Sequence, residues 1–554
     1  MTKRHVTCLL PAFLAALFLH VGCNGSGGDD EQDTAEDVQA DDAIVEQEEE
    51  ASEDSTPDPA EEDAIPDTIE EDVVEEELVI ELEWGACDTS EWPNGYPYPP
   101  AGVECTTIDV PLDYDEPGGE TIELLVARHR SRFFPTGRAV FNFAGGPGGT
   151  SVGQSGTIPI YIPQLRDFFD LVYVDQRGTG GSGYMDCPTT YPETVAEWRD
   201  CANRYSDVDL NHYMTKDAAH DVNYVRRALG YDRIFIRGGS YGTRLGLEYM
   251  RQHGETVVAA VLDGLVPPEM DMFGESIPIF DHGIDLLVTE CEADPDCLAV
   301  SPTLLADLTA WRVALAETPR PILVDGSPSV EDEELYLMFL GAFLRTAQWR
   351  FKVPAAIHLA VEGDNEEWND LMSAATGYRI TDPERSMPPE GMMGDFIPCP
   401  KPLPQFILGR EYMAQGLFMT IVCGEWIPNM ESYENLLEIT AGQTWGDGEP
   451  YLTVVESCEH WDVDPIDEAL LTPVSSDLPT LLLSGEIDLN TLAEWGDRAA
   501  ETLPNSTHVV IPHATHSTVS IPCAASILSQ FFTFDGNMDE VDTSCLGAIA
   551  HPGW

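Results

Sequence analysis

Ile234-Phe235-Ile236-Arg237-Gly238-Gly239-Ser240-Tyr241-Gly242-Thr243 is the stretch from which the rest of the chain is read. A short apolar run ends in Gly-x-Ser-x-Gly, and a helix-like segment follows over residues 244–251. This is the pattern of a nucleophile elbow, in which a serine at the top of a strand turns sharply into a helix and its hydroxyl projects clear of the backbone. Gly238 and Gly242 leave room for that turn, because a Cβ at either place would collide with a neighbouring strand or helix. The helix begins directly behind Ser240, where its free N–H groups favour developing negative charge. The motif is short enough to arise by chance in a glycine-rich chain, so its meaning rests on its surroundings.

On the N-terminal side, residues 122–127, 138–143 and 171–174 read as strands, and 218–229 as an amphipathic helix with Val222, Val225 and Leu229 on one face. The second strand runs into Ala144-Gly145-Gly146-Pro147-Gly148-Gly149, the third into Asp175-Gln176-Arg177-Gly178. On the C-terminal side a strand at 257–262 ends in Asp263-Gly264. The alternation then fades between 267 and 472, where helical segments such as 335–346 and 355–361 predict a mainly helical cap insertion. It resumes with a strand at 480–483 leading to Glu486-Ile487-Asp488, a helix at 491–502, and a strand at 508–511 leading to His513-Ala514-Thr515-His516. Strands alternating with helices, with glycine-rich turns at the strand ends, predict an α/β fold with a mostly parallel sheet.

Three strand ends thus carry Ser240, Asp488 and His516, in the chain order of a nucleophile, an acid and a base. A serine hydroxyl is a poor nucleophile at neutral pH. It needs an imidazole to accept its proton and a carboxylate to orient that imidazole and stabilise its cation. His513 competes with His516 as the base, and Glu486 and Asp263 compete with Asp488 as the acid. The spacing of 28 residues from Asp488 to His516 leaves room for one helix and one strand. An oxyanion would need two N–H donors, expected from Tyr241 and from Gly145 or Gly146. The glycine loop lacks the Lys-Ser/Thr ending of a phosphate-binding loop.

Taken together, Gly145-Gly146-Pro147-Gly148, Asp175-Gln176-Arg177-Gly178, Gly239-Ser240-Tyr241-Gly242-Thr243, Leu262-Asp263-Gly264, Gly485-x-x-Asp488 and the histidine turn resemble the secreted prolyl iminopeptidase and tripeptidyl aminopeptidase branch of the α/β-hydrolases. The lead-in Val110-Pro111-Leu112-Asp113-Tyr114 and a cysteine-bearing C-terminal segment resemble the larger members, so the likeness runs over 84–545. Ala144 departs from it, standing where many iminopeptidases have histidine. The resemblance implies an α/β-hydrolase fold and release of residues or short peptides from peptide N-termini, without a cofactor. It also implies cap carboxylates that hold the substrate α-ammonium, for which Glu425 is the candidate. Two other functions compete: a carboxylesterase on the same triad, and a non-catalytic surface interaction protein on a hydrolase scaffold.

The termini and the composition bound these readings. The 554 residues, 43% hydrophobic, suffice for a large core. The formal net charge of −72 argues against nucleic acid and anionic lipid as partners; a peptide or small-molecule substrate is what the resemblance implies. Lys3, Arg4 and an apolar run from Cys8 to Leu19, ending in Val21-Gly22-Cys23, predict an export signal over 1–23 whose end is similar to a bacterial lipobox. His20 stands where a lipobox usually has leucine. Lipidation at Cys23 would make the membrane a partner through that anchor alone, and would place the protein in the cell envelope. Residues 24–83 form an acidic linker expected to be disordered, since 29–83 holds 27 Asp and Glu and no Lys or Arg. The folded part is expected as 84–266, the cap as 267–472 and the closing core segment as 473–554. With no Cys-x-x-Cys or His-Glu-x-x-His spacing, no metal site is expected. In an exported protein neighbouring cysteines would pair as 87–105, 187–201, 291–297, 423–458 and 523–545, leaving Cys399 over.

Overall fold

Strands in the chain are β1 (Glu104–Pro111), β2 (Thr121–His129), β3 (Ala139–Phe143), β4 (Asp170–Val174), β5 (Ile234–Gly239), β6 (Val257–Asp263), β7 (Arg320–Val324), β8 (Ser327–Glu331), β9 (Ile380–Thr381), β10 (Thr480–Gly485) and β11 (Ser506–Ile511). The computed structural model describes residues 81–88, 99, 102–133, 135–188, 193–383, 413–446 and 448–554. All of these lie in the second of the two units into which the chain divides, Leu78–Trp554. The export segment with Cys23, nearly all of the acidic linker, and Cys399 lie outside the described residues.

Eight strands make one sheet in the order β1-β2-β4-β3-β5-β6-β10-β11. β1 and β2 pair antiparallel, as do β2 and β4; every later pairing is parallel. The expected mostly parallel α/β sheet is therefore present. β5 is central and buried from Ile234 to Arg237, as a parallel strand covered on both faces must be. Its alternation sorts its side chains between two cores. Ile234 and Ile236 join Phe141, Phe143, Leu262 and Leu482 in one core. Phe235 joins Val140, Val261, Leu481 and Leu483 in the other. Burying each such side chain contributes about 1.5–3 kcal/mol relative to exposure.

The long segment between β6 and β10 contains the helices Ile279–Ala293, Leu304–Glu317, Glu333–Leu344, Val353–Val361, Glu366–Thr376 and Gln415–Ile421. It also carries the small antiparallel sheet β8-β7-β9, which the helical reading of this region did not anticipate. Pro321 pairs only with Val330 of β8, outside the two positions of β7 that meet β9, and Pro328 lies on the edge strand β8, places where a missing N–H is tolerated. Among the described residues all five neighbouring cysteine pairs are formed: 87–105, 187–201, 291–297, 423–458 and 523–545. No helix among the described residues is long and apolar enough to cross a membrane, and none of them forms a cluster able to hold a metal ion.

Candidate active site

Ser240 stands between β5 and the helix Tyr241–His253 with φ 55° and ψ −129°, a backbone region that side chains seldom adopt. The strain is held in place from both sides. The Ser240 N–H donates to the Asp263 carbonyl at 2.9 Å. The Ser240 carbonyl accepts from the Thr243 N–H at 2.8 Å and the Thr243 hydroxyl at 2.6 Å. The elbow glycines meet the expected crowding: a Cβ on Gly238 would lie 2.2 Å from the Gly242 carbonyl oxygen, and one on Gly242 would lie 2.4 Å from that of Phe143. Ser240 itself is half-buried.

Asp488 follows β10 and is almost fully buried, at 3% exposure. Its Oδ2 is 2.8 Å from His516 Nδ1, and its Oδ1 accepts from the N–H groups of Asn490 at 2.8 Å and Thr491 at 3.1 Å. The Thr491 hydroxyl adds a bond to Oδ2 at 2.8 Å and lies 3.2 Å from His516 Nδ1. Burial by itself raises the Asp488 pKa; the His516 charge, the hydrogen bond to it and the two backbone donors outweigh this and hold the carboxyl below its ordinary range. The same pairing acts on His516. Burial lowers its pKa, but the Asp488 charge and hydrogen bond, with a further contribution from Asp263, leave it above the usual value. With Nδ1 engaged, Nε2 is the ring nitrogen left for proton transfer.

The serine and histidine turns meet through β6. Asp263 accepts the Ser240 N–H on its carbonyl, while its carboxylate Oδ1 accepts from the Thr518 N–H and hydroxyl, both at 3.0 Å, two residues beyond His516. Gly264, next in the chain, lies under the imidazole; a Cβ there would be 3.1 Å from His516 Cε1. Among the described residues no hydrogen bond joins Ser240 Oγ to His516 Nε2, a contact that in such sites often tightens only when substrate is bound. The competing residues are engaged elsewhere. Glu486 Oε2 accepts from the His513 N–H at 2.8 Å and lies 3.4 Å from His513 Nδ1, so these two form a separate pair. Asp263 Oδ2 faces Arg237 Nη2 at 3.5 Å, completing a buried tie between β5, β6 and the histidine turn.

The glycine loop after β3 packs over the serine. A Cβ on Gly145 would lie 2.9 Å from Ser240 Cβ and 3.4 Å from its Oγ. Asp175, after β4, holds the far side of that loop through the Thr150 hydroxyl at 2.7 Å and the Val152 N–H at 2.9 Å. Gly146 has φ 128° and sits one step further, near Met413 of the insertion. The insertion meets this loop directly: Gly149 bridges Met413, and the Ala414 N–H donates to the Gly148 carbonyl at 2.9 Å. Tyr241 opens the elbow helix, where its N–H has no partner within the helix.

Glu425 does not present an open carboxylate. It is 1% exposed, its Oε2 accepts from Arg244 Nε at 2.9 Å, and its Oε1 accepts from the Thr215 N–H at 2.6 Å. The expectation that it holds a substrate ammonium is corrected accordingly: its charge is committed to the elbow helix. Sequence reading had also passed over Thr491, Thr518 and Arg244. Thr491 had a signal, since a hydroxyl three residues after an aspartate favours a local capping turn. Thr518 and Arg244 had none, because their partners lie far away in the chain.

Sequence comparisons agree with this geometry. The family model described as "alpha/beta hydrolase fold" matches residues 139–315, and that described as "TAP-like protein" matches 447–545. Serine protease Hip1 of Mycobacterium tuberculosis is 30% identical over 221 residues, 36% of this chain and 42% of that protein. Carboxylesterase B of the same species is 31% identical over 253 residues, 39% and 46% of the two chains. Tripeptidyl aminopeptidase of Streptomyces lividans is 28% identical over 217 residues, 34% and 39%. The chain thus spans less than half the length of these curated relatives. An eight-stranded sheet of this order, an elbow at the end of β5, an acid after β10, a histidine after β11 and two separate family matches lead to one assignment: the chain has the α/β-hydrolase fold, with a C-terminal segment similar to TAP-like proteins.

Proposed function

We propose that the protein is an exported serine hydrolase that releases residues or short peptides from the N-termini of peptides through an acyl-enzyme. The observation that carries this reading is the 2.8 Å contact of His516 Nδ1 with Asp488, set beside a serine on a strained elbow. Ser240 Oγ attacks the substrate carbonyl carbon as His516 Nε2 takes the hydroxyl proton. Nε2 then gives that proton to the leaving amine as the bond to it breaks, and water hydrolyses the acyl-serine in the reverse sense. Asp488 stays ionised and stabilises the imidazolium. The N–H of Tyr241 and that of Gly145 or Gly146 stabilise the oxyanion, a role in which one donor is worth about 10²–10³ in kcat. The relative named tripeptidyl aminopeptidase and the TAP-like segment support peptides as substrates.

A fluorophosphonate probe tests the chemistry. Covalent labelling of the wild type, lost in Ser240→Ala, is the expected result; an unlabelled wild type would leave only an interaction role. A second reading, ester hydrolysis on the same triad, is favoured by the likeness to the relative named Carboxylesterase B. A panel of tripeptidyl, aminoacyl and acyl-ester reporters separates the two by kcat/KM. Export and lipidation at Cys23 belong to the same proposal. They predict that radiolabelled palmitate enters the wild type and not Cys23→Ala.

A further inference from the structure

Arg345 follows directly on the insertion helix Glu333–Leu344 and is half-buried. Its Nε donates to Asn490 Oδ1 at 3.1 Å, a bond that crosses from the insertion to the loop after β10. Asn490 is itself part of the acid's setting, since its N–H donates to Asp488 Oδ1 at 2.8 Å. A second guanidinium donor, on Nη1, goes to the Gly341 carbonyl at 3.1 Å. Both partners are neutral. Arginine offers five N–H donors in a rigid fork, so most of this one's capacity is unspent. In a chain with a net charge of −72, Arg345 makes no ion pair among the described residues. Its charge also opposes protonation of His516.

Its position defines which part of a substrate it can meet. His516 delivers a proton to the leaving group, so the leaving fragment lies on the imidazole side of the site. Three hydrogen bonds, running through Asn490 and Asp488, link Arg345 to that imidazole. Resting on the peptidase reading above, we infer that Arg345 is a specificity-determining cation that binds a carboxylate carried by the leaving fragment. Preferred substrates are then short peptides whose chain ends in a free carboxylate soon after the bond that is cut. A long chain, or an amidated one, places no charge there unless a side chain supplies it.

The test uses three alanine-based peptides with the same N-terminal portion: a short free acid, its C-terminal amide, and an amide bearing aspartate in the leaving fragment. Wild-type kcat/KM should favour the free acid over the plain amide by roughly tenfold or more, the scale of one charge-assisted hydrogen bond. That ratio should collapse towards one in Arg345→Met, survive in part in Arg345→Lys, and invert in Arg345→Glu, mainly through KM. Equal rescue of the aspartyl amide would assign the recognition to any nearby carboxylate; rescue of the free acid alone would assign it to the chain terminus. If Arg345 only ties Asn490 in place, all three substrates lose rate together and the ratio stays at its wild-type value, which overturns the inference. Failure of the peptidase reading looks different, because the wild type would then cleave none of the peptides, whatever its labelling by the fluorophosphonate.

Discussion

At the scale of single residues, the decisive fact is that each of the candidate carboxylates near the serine is committed to partners of its own. Asp488 belongs to His516, Glu486 to His513, Asp263 to Thr518 and Arg237, and Glu425 to Arg244. The pH behaviour follows from the first pair. A base must be neutral to act, and the His516 pKa stands above its ordinary value. Activity should therefore rise with pH through a midpoint above about 6.5, the unperturbed histidine value. Asp488→Asn should lower kcat on the order of 10⁴-fold, by losing the correct tautomer, and move the residual acid limb to lower pH. Asp263→Asn, which keeps its backbone contact with Ser240, should cost far less; the reverse ranking in steady-state pH profiles would transfer the acid role to Asp263. Stability carries the opposite signs for the two partners. The Asp488 contribution is present above the unfolded carboxyl pKa and is lost as pH falls through its depressed folded value. That of His516 is present below the unfolded histidine pKa and is lost as pH rises through its raised folded value. Glu425→Gln tests a buried tie to Arg244 and Thr215, not an ammonium site. Breaking a buried ion pair costs about 3–5 kcal/mol, so the variant should melt earlier while affecting free-amine and N-blocked substrates alike.

At the scale of elements, the strand–turn–helix at Ser240 is what brings distant residues to one edge of the sheet. Ser240 sits at the end of β5, Asp488 after β10 and His516 after β11, with β6 between the first two strands. Gly242→Ala should disrupt this element, because the added methyl would meet two backbone carbonyls, those of Phe143 and Ala144, that have little freedom to retreat. Overpacking of this kind costs about 1–3 kcal/mol, and fluorophosphonate labelling should fall by more than the loss of folded protein explains. The same element shows why this much was legible in the sequence. Elbow glycines, alternating strands and turn residues are local signals, and each leaves its mark within a few positions. The lead-in strand β1 was obscured by flanking prolines and glycines, β7 and β8 by prolines within the strands, and β9 by its length of two residues. Glu425 was misread for a different reason. Its neighbour Cys423 and the cap setting suggested an open acid, whereas its fate depends on Arg244, 181 residues away. Arg177 is a similar case: its motif was visible, but its buried pairing with Asp221 and its bond to the Leu112 carbonyl, which anchor the β4 turn to the lead-in, were not.

At the scale of the whole molecule, the insertion and the core are joined where the chemistry is placed, and one disulfide controls that junction. Cys423 pairs with Cys458 across 35 residues of the insertion. Two residues beyond Cys423, Glu425 reaches down to Arg244 on the elbow helix and to the Thr215 N–H. Tyr241, the first residue of that helix, packs in the same apolar cluster as Cys423, Leu417, Trp426 and Phe273. The bridge therefore restrains a segment whose far contacts fix the start of the elbow helix. Closing a loop of this length is worth roughly 3–4 kcal/mol in the chain-entropy account. A Cys423→Ala/Cys458→Ala protein should lose stability on that scale, and the loss should be local before it is global. Amide exchange should accelerate first over 241–247 and 415–426, at denaturant levels where the strands β3, β5 and β6 remain protected. The matching Cys523→Ala/Cys545→Ala protein supplies the comparison, because that bridge joins the helix Pro522–Thr533 to the segment after it, in a different apolar cluster from that of Tyr241 and Cys423. It should speed exchange around 522–545 and leave 241–247 as slow as in the wild type. Were both variants to loosen the elbow equally, the coupling would run through the sheet as a whole, and the insertion would have no privileged hold on the nucleophile.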